Sequence, residues 1–298
     1  MTEKTVRLPL LIDAAPYLQD HRFEGKAVFP AVEAMRVLAQ AVKEFAPQTD
    51  VTAATDAAFN KFLLIPSGTP NIDALCRITS FENGDITAVL QTKTRAGNAA
   101  FSRIKEHVSV HYPRVRPEVE AVFHKPRLFE KNSCMKISPE QIYFELVPFG
   151  PAYHNISEDL TIHRNGAIAR LHAPTIGGAI DKIGPLGSPF ILDAAFHSAC
   201  VWSQRYGGVV AFPVAVEKRI IVQPTRPGNT YVSSAIPLGT DADRLIFNIF
   251  IYGEDNTLCE LAGGVHMRDV SAGRLKPPAW IVEAEGNDRQ RAIPEQPE

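Results

Sequence analysis

Asp193 and His197 stand four residues apart in the run Pro189-Phe190-Ile191-Leu192-Asp193-Ala194-Ala195-Phe196-His197-Ser198-Ala199-Cys200-Val201-Trp202. Positions i and i+4 stack on one face of a helix. The other faces carry Ile191, Leu192, Ala194, Ala195, Phe196, Ala199, Val201 and Trp202, and a helix that is apolar all round is a buried one. A carboxylate and an imidazole on such a helix must be paired, coordinated or used, because an unpaired buried charge is costly. Two readings stay open on this segment alone: a satisfied Asp–His pair in the core, or a pair of groups that move protons. A second histidine has a polar setting of its own. His21 opens the run His21-Arg22-Phe23-Glu24-Gly25-Lys26-Ala27-Val28-Phe29-Pro30. Gly25 permits a tight turn or a close approach of backbone to a ligand, and Pro30 suits the start of a helix. A histidine near a helix entrance, beside free backbone N–H donors, can act as a base next to an oxyanion site. Taken alone, a histidine in such a loop reads as a surface residue.

Several other chemistries find no support. The net charge of −2 over 298 residues makes no electrostatic case for nucleic acid or anionic lipid. Cys76, Cys134, Cys200 and Cys259 are scattered with no metal-ligand spacing, so no metal is expected, and a reduced, cytoplasmic setting fits them. No apolar run approaches the length of a membrane span, and Asp13 cuts the only early apolar stretch, Leu8 to Ile12. Phosphate loops and Ser-His-Asp spacings are missing. His107, His111, His124, His163, His172 and His266 read as strand or loop histidines rather than ligands.

The elements that must position Asp193 and His21 repeat along the chain. Ala31 to Phe45 reads as a helix with Met35, Leu38, Val42 and Phe45 on one stripe. Strand-like runs follow at Phe59–Ile65, Asn71–Thr79, Ile86–Thr94 and Ser102–Tyr112. After the Asp193 helix the order recurs: Val214–Gln223, Thr230–Ile236, Arg244–Tyr252 and Leu258–Met267. Lys61 to Pro66 lines up with Lys218 to Pro224, each followed by a Gly/Pro/Asn turn. An all-round apolar helix beside short β-branched strands is buried by wrapping the sheet around it. Two such units would join into one long sheet or a tight pseudo-dimer. The expected division is 1–112 for the first unit, 113–137 as linker, 138–272 for the second unit and 273–298 as a polar tail. Arg114, Arg116, Lys125, Arg127 and Lys131 of the linker read as a solvated surface, or as a contact for an acidic carrier.

Together these segments resemble the dehydratase domains of polyketide synthases and related fatty-acid synthases. His21, Gly25 and Pro30 match the family's His-x3-Gly-x4-Pro motif, and Asp193 with His197 match Asp-x3-Gln/His. Phe149-Gly150-Pro151-Ala152-Tyr153 approximates Tyr-Gly-Pro-x-Phe, and Ala211-Phe212-Pro213-Val214 echoes a Pro-containing stretch after the second helix. Order and spacing agree from about residue 6 to 272. Ala31 replaces the glycine usual after the motif proline, and Phe149 replaces a tyrosine hydroxyl that Tyr153 could supply only from the same cavity.

The resemblance implies an α+β, double-hotdog fold with two antiparallel sheets, each wrapped around a central buried helix. It implies removal of water from a β-hydroxyacyl thioester without a cofactor, the substrate riding on an acyl carrier protein or on coenzyme A. His21 would take the C2 proton, since an imidazole with an ordinary pKa near 6.5 is largely neutral at pH 7. Asp193 would protonate the leaving hydroxyl, because an apolar pocket favours the protonated carboxyl. His197 and Tyr153 would support and orient. Gly25 would be the oxyanion donor, and Pro30, Phe149, Gly150 and Pro151 would shape the substrate site. A homodimer, but no nucleic-acid partner and no membrane span, would fit. The same site could instead isomerise or hydrate an enoyl thioester, or survive as a silent acyl-binding module.

Overall fold

The computed structural model describes residues 3–95, 102–119, 134–176 and 184–283. Fourteen strands are present among them: β1 (Lys4–Asp13), β2 (Arg22–Phe23), β3 (Lys26–Ala27), β4 (Ala53–Phe59), β5 (Asn71–Ser80), β6 (Ile86–Arg95), β7 (Ser102–Tyr112), β8 (Met135–Ile137), β9 (Leu160–His163), β10 (Gly166–His172), β11 (Phe212–Ile221), β12 (Thr230–Asp241), β13 (Arg244–Gly253) and β14 (Leu258–Arg268). The helices are α1 (Ala31–Phe45), α2 (Pro139–Gln141), α3 (Pro189–Trp202) and α4 (Ala279–Glu283). None is long and apolar enough to cross a membrane.

Twelve strands form one antiparallel sheet in the order β1-β5-β6-β7-β4-β11-β14-β13-β12-β10-β9-β8. From the β4–β11 seam outward, each half runs through the same sequence of strands: the first after its helix, then the fourth, third and second, then a strand that precedes the helix. The repeat is therefore a repeat of topology, and the fold is a double hotdog. The two expected sheets share an edge, with Ala54 opposite Arg219 and Ala57 opposite Val216. Joining them hides two strand edges that would otherwise invite other chains.

α1 is amphipathic. Val32, Met35, Leu38, Ala39 and Val42 are buried while Gln40 and Glu44 face water, and the helix packs on β5, β6 and β7. In α3 all fourteen residues are buried, Asp193 and His197 included. It lies against β9 to β13 and touches α1.

Four expectations change. The first strand after α1 is Ala53–Phe59, not Phe59–Ile65. Its alanines have low strand propensity, and pairing on both flanks with β7 and β11 overrides it. The counterpart of β11 is thus β4, and the Lys61–Pro66 alignment is out of register. β8 pairs with β9 and so belongs to the second unit rather than the linker. Arg116 is not a free surface charge. Its guanidinium donates to Asp50 Oδ2 at 2.6 Å, Thr52 Oγ1 at 2.7 Å and the Ile221 carbonyl at 2.8 Å, stapling the seam. Lastly, the tail docks at its start: Ile281 is fully buried in α4, and Arg205 donates to the carbonyls of Ile281 and Val282. Lys125, Arg127 and Lys131, His124, and the tail beyond Glu283 lie outside the described residues.

Candidate active site

Tyr17 and Leu18 anchor a short 3-10 turn (Pro16–Asp20) in the core, and His21 caps its end. The chain then makes the β2–β3 hairpin, whose two-residue turn has Glu24 at φ 48° and Gly25 at φ 76°. Positive φ at both central positions marks a primed turn, which favours glycine. The hairpin returns Val28 to His21, so that Val28 N–H donates to the His21 carbonyl at 2.9 Å. The His21 ring closes the loop, with Nδ1 2.9 Å from the Val28 carbonyl. A carbonyl only accepts, so Nδ1 carries the proton and Nε2 is the basic nitrogen.

That nitrogen faces the other half of the molecule. His21 Nε2 lies 3.9 Å from Asp193 Oδ1, with side-chain exposures of 15% and 7%. One turn along α3, His197 Nε2 comes within 3.0 Å of Asp193 Oδ2. The distance suits an ion pair, but the alignment is wrong for a hydrogen bond, and both atoms are buried without a hydrogen-bond partner among the described residues. The contact is therefore not a hydrogen bond, because hydrogen bonds weaken steeply off axis. A satisfied core pair would not leave both atoms in this state. Burial is the largest influence on His21 and holds its pKa below the ordinary 6.5, outweighing the pull of the Asp193 carboxyl and the Val28 hydrogen bond in the other direction.

These three side chains line a cavity of about 610 Å³. Its walls are mostly apolar, with Phe29, Leu63, Val147, Phe149, Phe196 and Phe212 among them, and Lys61, Asp243 and Arg268 contribute charge. Pro213 and Val214 reach the wall at a bulge in β11, where the pairing with β14 shifts register. Bulges commonly re-aim side chains beside such sites. Cys200, one turn beyond His197, also faces the cavity, and burial pushes its thiol up to about 12.

Phe149 packs against His21 with the rings tilted and centroids 4.4 Å apart, and meets His197 at 5.1 Å. Its placement comes from Asp20, whose backbone carbonyl accepts from Gly150 N–H at 2.7 Å and whose Oδ2 accepts from Ala152 N–H at 3.0 Å. The residue before the proposed base thereby clamps the segment that covers it. Gly150 is obligatory for this approach, since a Cβ there would sit 2.5 Å from Asp20 Cγ. We expect Gly150→Ala to displace the clamp, costing about 1–3 kcal/mol by overpacking and lowering turnover, as urea denaturation and steady-state kinetics would measure.

The structure does not bring every expected residue to the cavity. Gly25 is exposed at the hairpin tip and builds the turn instead of lining the cavity. Pro30 is the N-cap of α1, and its neighbours Phe29 and Ala31 line the wall in its place. Gly150 packs on Asp20 behind the wall, and Pro151 is exposed at the start of a short 3-10 turn. Tyr153 packs edge-on against His21 at 5.1 Å but is absent from the lining, and its buried hydroxyl has no hydrogen-bond partner among the described residues. It does not replace the hydroxyl missing at Phe149. Sequence reasoning missed Asp20, Tyr143 and His154, which hold the wall from behind. Only the proximity of Asp20 to His21 could have flagged one of them.

No protein-family model matches the sequence, and no curated protein is detectably similar to it. Solved structures do match. An N-terminal dehydratase from the difficidin assembly line superposes with a TM-score of 0.70 at 14% identity, covering 90% of this chain and 94% of that one. The dehydratase domain from the CurF module of curacin polyketide synthase gives 0.69 at 18% identity, covering 89% and 93%. The dehydratase domain of PpsC from Mycobacterium tuberculosis, in complex with C12:1-CoA, gives 0.64 at 17% identity with the same coverage. At such identities the likeness speaks to fold. Over about nine-tenths of its length, this chain has the double-hotdog fold of polyketide synthase dehydratase domains.

Proposed function

We propose that the protein dehydrates a β-hydroxyacyl thioester, presented on an acyl carrier protein or coenzyme A, to the α,β-enoyl thioester. The observation that carries this reading is the facing of His21 Nε2 and Asp193 Oδ1 across one apolar cavity, 3.9 Å apart and from opposite halves. Adjacent carbons are about 1.5 Å apart, so a base and an acid at this separation can address substituents on C2 and C3 together. His21 Nε2 takes the C2 proton. The C2–H electrons form the C2=C3 bond as C3–O breaks, and Asp193 supplies the proton with which the oxygen leaves as water. The first-turn N–H groups of α1, which have no carbonyl one turn earlier to bond, take over from Gly25 as donors to the thioester oxygen. Ala31 and Ala34 bring that turn to the cavity wall, and the helix dipole favours negative charge there.

Mass spectrometry of carrier-bound and CoA-bound 3-hydroxyacyl substrates of graded length tests the reading. Loss of water is the expected result; no loss across the panel overturns it, and a β,γ-enoyl product would assign the site to isomerisation.

The pH dependence has a definite sign. His21 works only when neutral, and its pKa lies below 6.5 because burial disfavours the imidazolium. Activity is therefore present above pH 6.5 and is lost as pH falls through that lowered value. The acidic limb of kcat/KM reports the free enzyme and is expected below pH 6.5. Phe149→Ala admits water to His21 and should move the limb upward, toward the value of free imidazole.

A further inference from the structure

His197 has two ring nitrogens with different neighbours, and the residue that decides between them is Tyr143. The Tyr143 hydroxyl oxygen accepts from the backbone N–H of Asn155 at 3.0 Å and of Ile156 at 2.9 Å. Both contacts are buried, so the oxygen's acceptor capacity is filled by two donors that cannot reverse. Its own proton must go elsewhere, and His197 Nδ1 lies 3.5 Å away. The rings meet near-perpendicular, 5.8 Å between centroids, which keeps the hydroxyl beside the ring edge. His154 fixes Tyr143 in turn, stacking on its ring at 4.3 Å while its Nε2 donates to the Phe149 carbonyl at 2.8 Å.

From this geometry we infer that Tyr143 is a positioning residue that holds neutral His197 in the tautomer protonated on Nε2. Nδ1 accepts from the tyrosine, so the ring proton sits on the nitrogen 3.0 Å from Asp193 Oδ2. The other tautomer would leave the Tyr143 proton without an acceptor at His197. A donor on Nε2 sets the positive N–H edge of the ring beside the carboxylate left when Asp193 has given up its proton, a Coulombic contact and not an aligned hydrogen bond, and can contact the departing water. The catalytic consequence rests on the dehydratase reading; the tautomer does not.

The test uses the full chain labelled with 15N-histidine. Two-bond 15N–1H correlation spectra at a pH where His197 is neutral should show Nδ1 unprotonated and Nε2 protonated in the wild type. Tyr143→Phe should give a mixture. A protonated Nδ1 in the wild type, or a spectrum unchanged by Tyr143→Phe, overturns the inference whether or not the protein dehydrates anything. The kinetic arm compares two backgrounds. Tyr143→Phe is expected to lower kcat about tenfold, the scale of one hydrogen bond in a buried network, with KM unchanged within about twofold. In the His197→Gln background the same substitution should cost less than about twofold, because an amide always has N–H donors to offer. An equal loss in both backgrounds would assign Tyr143 a structural role only. Failure of dehydration in every variant would count against the proposed reaction, with the tautomer still read by NMR.

Discussion

Asp193→Asn is expected to leave the protein folded and to lower turnover by about 10²–10⁴-fold, the range of a positioned general acid. The carboxamide keeps the size of the side chain and can still contact His197, but it cannot deliver a proton to a leaving hydroxyl. His21→Ala should cost as much, since no other described imidazole nitrogen faces Asp193 from the first half of the fold. The competing account treats Asp193 and His197 as a core pair. Breaking a buried pair costs about 3–5 kcal/mol, so that account requires Asp193→Asn to melt early. The misaligned 3.0 Å contact, with neither atom hydrogen-bonded among the described residues, predicts a smaller change of about 1 kcal/mol, or about 1–2 °C in Tm for a chain of this size. Thermal denaturation and turnover measured on the same preparation separate the two. A variant that melts early and loses activity in proportion would remove Asp193 from the chemistry.

The second large effect concerns stability within the second half, one strand from the seam. Arg219 on β11 donates from Nε to Glu260 Oε1 on β14 at 2.7 Å, with side chains only 4% and 2% exposed. This is the opposite situation from Asp193 and His197: short, aligned and remote from the cavity. Glu260→Leu strands the guanidinium in the core and should destabilise by about 3–5 kcal/mol in urea denaturation. Arg219→Met combined with Glu260→Leu should regain most of that loss, because two apolar groups need no partner. If the single variant were within about 1 kcal/mol of wild type, the buried pair would not be contributing to the packing of β11 on β14.

Much of the architecture was legible in the sequence, for reasons tied to particular elements. α3 announced itself because fourteen residues without a polar face have only one solution, burial. β6, β7, β12, β13 and β14 were legible from β-branched and aromatic runs bounded by turn residues. β4 was not, because Ala53-Ala54-Thr55-Asp56-Ala57-Ala58 carries no strand preference of its own and becomes a strand only between β7 and β11. β1 and the β8–β10 group were missed as well. β1 is an edge strand with alternating exposure, and β8 and β9 have three and four residues, too few for a period.

The residues expected to do chemistry divide along the same line. Residue type and spacing alone placed Asp193 and His197 on one buried face and set His21 at the entrance to α1, because helix periodicity and the cost of burying charge are local rules. Whether His21 and Asp193 meet is not local: they are far apart in sequence, and only the two hotdogs, sharing an edge at β4 and β11, set them 3.9 Å apart. Tertiary structure likewise decided that Gly25 forms a turn, that Asp20 holds Phe149 against His21, and that Tyr143 reaches His197. Each depends on which groups pack behind the cavity wall. The sequence thus determined which side chains could move protons, and the joined halves determined which of them face one another, since hydrogen bonds and desolvation act over a few ångströms of space irrespective of distance along the chain.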